Sequence, residues 1–151
     1  MEKKKIEAQT VLAFSLKATL KTITTAPGNA PEEIIQKAET LGLKITGPQI
    51  WQYRNCDGKP ETIFDLDICL PVKEAKGDAG KFHFDTLPEV VCISEIHKGA
   101  WSNLTNTYNR ILGEISRKEI VPTNISREVY LVCDLEKPDN CLTEVQWIIE
   151  K

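Results

Sequence analysis

Residues 128–149 read EVYLVCDLEKPDNCLTEVQWII, and residues 51–72 read WQYRNCDGKPETIFDLDICLPV. Laid over one another without gaps, 77 positions apart, they bring Tyr53 onto Tyr130, Cys56 onto Cys133, Asp57 onto Asp134 and Asp67 onto Glu144. In each, an alternating or apolar run, a loop with a Lys-Pro pair and a second such run follow in turn, which reads as strand–loop–strand. A fixed internal period is settled before any single element, because a repeated unit that exposes a sheet face needs its twin to cover it.

The repeat extends upstream. TVLAFSLKATL (10–20) and EVVCISEIHKG (89–99) are β-prone apolar runs with Ser15 and Ser94 in equivalent places. Each precedes a helix. In APEEIIQKAETLG (30–42), Pro31 suits the first helical position, Glu32 and Glu33 the first turn, and Gly42 the stop. In WSNLTNTYNRILGEISRK (101–118), Ser102 is the expected N-cap, and Leu104, Tyr108, Ile111, Leu112 and Ile115 share one face. A charged connector, KEAKGDAGKFHFDTLPE (73–89), carries one short strand, KFHFDTL. The expected fold is α+β: two strand–helix–strand–strand units, about 10–72 and 89–149, joined as one pseudo-twofold domain over 1–151. Its sheet is mostly antiparallel, with the helices on one side and a groove between the halves.

Composition narrows the function. A length of 151 residues with 41% hydrophobic and 27% charged residues fits one soluble domain. A net charge of −3 gives no electrostatic footprint for nucleic acid. The only basic run, Lys3 to Lys5, reads as a solvated terminus. With the first strand expected from Thr10, no room is left for a helix-turn-helix, so no direct DNA binding is expected. No apolar run approaches the roughly 18 residues of a membrane span, and no secretory signal opens the chain. Five cysteines, an odd number without CxxC spacing, favour reduced thiols and a cytoplasmic location. His83 and His97 read as ordinary strand-surface residues, and HFD around His83 is too thin a ligand set, so no metal is expected. No phosphate-cradling loop or Ser-His-Asp order appears, and no cofactor is expected.

SREVYLVCD (126–134) raises the functional question. Val129, Leu131 and Cys133 form the face expected to enter the core. Glu128 and Tyr130 lie on the other, at the repeat positions of Trp51 and Tyr53. If those two faces line a shared groove, it holds aromatic rings and one carboxylate, the make-up of a site for a flat cation. The alternative is a wet strand end, or a pair with Arg127 or Arg54, since carboxylates are mostly exposed. For each of the rings of Trp51, Tyr53, Trp101, Tyr108, Tyr130 and Trp147 taken singly, ordinary core packing is the better reading.

The order GPQIWQY…FDLDICLPV, then HKGAW…SREVYL…LTEVQWII, resembles the GyrI-like, AraC-type effector-binding domain over about Ile6 to Glu150. That module senses ligands at the C-terminus of regulators such as Rob and BmrR, and also stands alone. The resemblance implies an aromatic groove whose carboxylate is Glu128, with Tyr130 as its motif neighbour and Trp101 as the aromatic after H-x-G. With the repeat-derived Trp51 and Tyr53, and Tyr108 on the wall, these are the expected ligand residues. Two departures stand out: KATLKTI replaces the H-x-G-x-aromatic signature in the first half, and VQWII lacks the family's usual proline. The expected function is a stand-alone binder of aromatic or cationic small molecules, of the multidrug-binding kind that serves transcription regulation. A hydrolase of reactive cyclopropane-containing compounds is the enzymatic alternative. A protein-binding, gyrase-inhibitor-like role, its protein partner unspecified, is a third.

Overall fold

The computed structural model describes residues 1–151. In chain order the elements are β1 (Glu2–Ile6), β2 (Gln9–Ala18), α1 (Ala30–Thr40), β3 (Ile50–Arg54), β4 (Phe64–Pro71), β5 (His83–Leu87), β6 (Val90–Lys98), α2 (Leu104–Arg117), β7 (Pro122–Val132) and β8 (Leu142–Ile149). They fall into two compact units, Ala8–Pro88 and Met1–Glu7 with Glu89–Lys151. Every strand pairing within them is antiparallel. The duplicated strand–helix–strand–strand pattern of an α+β fold is present.

In the unit Ala8–Pro88 the strands lie in the order β3-β4-β2-β5. Alternation along β2 sends Leu12 to the helix side, where Ile34 and Ala38 of α1 bury against it together with Leu70. Pro31 and two acids open α1, and Gly42, at φ +68°, closes it in the left-handed region that glycine enters without strain. Phe64, Leu66, Ile68 and Tyr53 form a second core cluster. The other face sets polar pairs beside the buried Val11, Ala13, Ile50 and Cys69: Ser15 Oγ donates to Asp67 at 2.6 Å, Gln52 Nε2 to the same carboxylate at 3.3 Å, and Lys17 pairs with Asp65 at 2.7 Å.

The second unit repeats that order as β1-β6-β8-β7. Ile93, Val145 and Ile149 of the sheet bury against Ile111 and Ile115 of α2. The ladders carry the same 77-residue offset as the sequences: Trp51 stands opposite Ile68 and Glu128 opposite Val145, while Gln52 faces Asp67 and Val129 faces Glu144. The serines follow less strictly. Ser15 stands opposite Asp67 and Ser94 opposite Gln146, yet Ser94 Oγ reaches diagonally across the ladder to Glu144 at 2.8 Å. Each serine thus serves the equivalent acid.

Three sequence expectations are corrected. The lysine run is not a solvated tail: Lys3, Lys4 and Lys5 lie in β1, laddered to β6, and Lys4 Nζ sits 2.6 Å from Glu144. Burial works against the Glu144 charge, but the donors Lys4, Gln146 and Ser94 outweigh it and hold the carboxyl below the usual range. Ser102 does not cap α2; a 3₁₀ turn, Trp101–Asn103, precedes it, and Asn103 takes the cap position without a side-chain bond. Finally, Leu131 and Cys133 are exposed while Glu128 is buried, so that part of β7 turns its polar face inward. All five cysteines are free thiols. No helix is long and apolar enough to cross a membrane.

Candidate functional site

The inward turn of β7 is explained by its partners. Glu128 is only 6% exposed, and an unaided carboxylate at that depth is costly. Two phenols answer it. Tyr130, two residues on along the same strand face, donates to Oε1 at 2.7 Å, and Tyr108 of α2 donates to Oε2 at 2.6 Å. Both lengths are those of charge-assisted O–H···O⁻ bonds. The amphipathic stripe of α2, which buries Ile111 and Ile115, also carries Tyr108 toward the sheet, because positions 108, 111 and 115 lie on one helix face.

Each phenol is in turn flanked by an indole. Trp101 meets Tyr130 edge-on with ring centroids 5.6 Å apart, and Trp147 meets Tyr108 edge-on at 6.2 Å. Both are favourable edge-to-face geometries. Each indole N–H is also anchored: Trp101 Nε1 donates to Thr143 Oγ at 3.0 Å, and Trp147 Nε1 to the Thr123 carbonyl at 3.0 Å. The result is an arc of Trp101, Tyr130, Glu128, Tyr108 and Trp147, all within one unit. Trp101 keeps 38% of its surface exposed, so the arc has an open end. It can offer negative charge and π-faces to a cation.

The structure brings together four of the expected site residues: Glu128, Tyr130, Tyr108 and Trp101. Trp51 and Tyr53 belong to the other unit. There Trp51 Nε1 donates to Gln49 Oε1 at 2.9 Å, and Tyr53 is buried beside Phe64 with ring centroids 5.6 Å apart. Trp147 was not among the expected ligand residues; its helix-side position opposite Ser126 became legible only with the β7–β8 register. His97, expected on the strand surface, is 6% exposed and bonded at both ring nitrogens, to Thr107 and to Ala100. Two shallow surface cavities of about 340 Å³ lie in the unit Ala8–Pro88, one beside Asp67 and Arg54 and one beside Lys37 and Phe82. No group of three or more His, Cys, Asp or Glu side chains is arranged to hold a metal.

Comparison with known proteins places this geometry in context. The profile of the GyrI-like small molecule binding domain matches residues 1–150. No match among curated proteins is significant. Among solved structures, the EcmrR C-terminal domain is similar over 99% of this chain and 96% of that one, at 22% identity and a TM-score of 0.80. In the EcmrR–DNA complex the chain spans 57% of the length of the protein it matches, at 20% identity and a TM-score of 0.82. SAV2435 bound to tetraphenylphosphonium is similar at 11% identity and a TM-score of 0.68, over 99% of this chain and 93% of that one. A hydrolase encoded by lin2189 from Listeria innocua is similar at 10% identity and a TM-score of 0.69, over 99% and 92%. At these identities the likenesses speak for the fold.

Proposed function

The chain belongs to the GyrI-like small-molecule-binding family, and from that premise we propose that it binds organic cations bearing aromatic rings at the Glu128 carboxylate. The observation that carries the reading is the buried carboxylate held by two phenols, each phenol backed by an indole. A soluble core has no need of this arrangement, since apolar side chains fill the same volume without a desolvation cost. For a delocalised cation the same groups are complementary: the carboxylate supplies attraction in a low-dielectric setting, and the rings supply contact area. The Glu128 oxygens already accept two hydrogen bonds, which fits holding charge better than taking a proton from water.

Such a binder would act as the ligand-sensing element of a regulatory system, or sequester its ligand, in the cytoplasm. A hydrolase remains the second reading, because a phenol 2.6–2.7 Å from a carboxylate oxygen is also an acid–base pair, and a hydrolase shares the fold.

The test uses methyltriphenylphosphonium, a monocation related to the ligand of SAV2435, and triphenylphosphine oxide as its neutral counterpart. Calorimetry should give saturable binding of the cation at one per chain and at least about tenfold weaker binding of the oxide, a difference of about 1.4 kcal/mol. Equal affinity for the two would refute cation selectivity. Mass spectra of a reactive cyclopropane-containing compound after incubation decide the second reading: an unchanged mass supports the binder, and addition of water supports the hydrolase.

A further inference from the structure

We infer that His97 is a positioning residue for Trp101, held with a proton on Nε2; as a statement about the ligand site, this rests on the reading above.

The hydrogen-bond chain through His97 is fixed at its Nε2 end. Ala100 O, 2.9 Å from Nε2, can only accept, so Nε2 carries the proton. At the other end Arg110 can only donate, and it does so through Nε to Glu95 at 3.0 Å and through NH2 to Thr107 Oγ at 3.0 Å. The Thr107 hydroxyl keeps its own proton and a second lone pair for His97 Nδ1, 2.7 Å away. Glu95, Arg110, Thr107, His97 and the Ala100 carbonyl are thus linked in order. Thr107 is fully buried and His97 nearly so, so water does not substitute for these bonds.

The chain ends one residue before Trp101, and that placement gives it meaning. His97 and Thr143 are directly paired across β6 and β8. His97 holds the backbone carbonyl just before Trp101, and Thr143 holds the Trp101 indole N–H at 3.0 Å. One cross-strand pair therefore clamps Trp101 at both its backbone and its ring. The intervening Gly99, at φ +116°, makes the turn that brings the strand end back over His97, and its N–H is tied to Cys141 O at 2.9 Å. Clamped in this way, the indole is presented edge-on to Tyr130, which bonds Glu128. The Glu95–Arg110 end lies toward solvent, so the chain anchors the indole to the exposed rim of α2.

Two substitutions split the two bonds of the ring. His97→Gln places an amide N–H near the Nε2 position and can keep the bond to Ala100 O. His97→Asn places its amide near Nδ1 and can keep only the bond to Thr107. The readouts are the Trp101 indole N–H resonance without ligand and the affinity for methyltriphenylphosphonium. The expected result is a wild-type-like Trp101 resonance and affinity in His97→Gln. In His97→Asn the resonance should shift and affinity should fall about 3–10-fold, the effect of one hydrogen bond. Equal behaviour of the two variants would overturn the assignment, since a role in fold stability alone does not distinguish them. Nitrogen-15 shifts of His97 in the unmodified protein add a check that needs no variant: protonation at Nδ1 with a bare Nε2 would also overturn it. If the phosphonium fails to bind the unmodified protein, the ligand reading fails, while the Trp101 resonance and the His97 tautomer still decide the positioning role.

Discussion

Asp67 and Glu144 occupy the same ladder position in their units, and so do Trp51 and Glu128, but the two pairs behave differently. The first pair kept its chemistry. Each acid accepts a serine hydroxyl and a glutamine amide on the polar sheet face, and each has a base within reach, Arg54 at 3.5 Å or Lys4 at 2.6 Å. The second pair diverged completely. One unit has an indole bonded to the neighbouring Gln49, and the other a carboxylate wrapped by two phenols. Register follows from the apolar face buried on the helix; on the opposite face the acid and serine are kept, while Gln52 has Val129 at its repeat position and Gln146 supplies the amide instead. On the other face one ladder position accepts a carboxylate in place of an indole because its neighbours satisfy it.

The largest effects are expected at the acids that stayed alike. Glu144→Ala leaves Lys4, Ser94 and Gln146 without their shared acceptor at a buried position, and should cost about 1–3 kcal/mol in urea denaturation. Asp67→Ala, in a more open setting with a longer ion pair, should cost less than about 1 kcal/mol. Equal losses would mean that the two sites are energetically interchangeable.

A smaller effect follows from acid. Because the folded state holds the Glu144 carboxyl below its unfolded value, its contribution is present above about pH 4.3 and fades as pH falls through the lower folded value. Glu144→Gln should therefore flatten the acid limb of a stability–pH curve. An unchanged limb would place the acid sensitivity elsewhere. Smallest is the effect on Cys92, whose thiol is pushed up to about 11 by burial and by the Glu144 charge. Glu144→Gln should lower that ionisation by under about one pH unit, read from the Cys92 carbon-13 shift. A rise instead would mean that the carboxylate does not act on the thiol.

What was legible in the sequence follows the range of each interaction. The offset of 77, the capping chemistry of α1 and the polar pair on β7 are patterns within one or two elements, and all were visible in the letters. The resemblance to the family rested on the same short motifs. β1 was not visible, because EKKKI alternates nothing apolar; it is a strand through its ladder to β6 and the Lys4–Glu144 pair. The inward face of β7 was misassigned for a similar reason. Leu131 and Cys133 look like core until Tyr108, twenty residues upstream on a helix, supplies what Glu128 needs. His97 is the first residue of the H-x-G before Trp101, but its burial gave no local signal, since its partners come from α2 and the turn before Trp101.

The central claim is that Glu128 acts on a ligand through its charge. Glu128→Gln keeps the shape of the side chain and removes that charge, so its effect on methyltriphenylphosphonium and on triphenylphosphine oxide, measured by calorimetry at one salt concentration, is the most direct test. The cation should lose on the order of 1.5–3 kcal/mol of affinity, the range for hydrogen bonds to charged groups, while the oxide changes by much less. Equal changes for the two ligands, or no change for the cation, would contradict the claim.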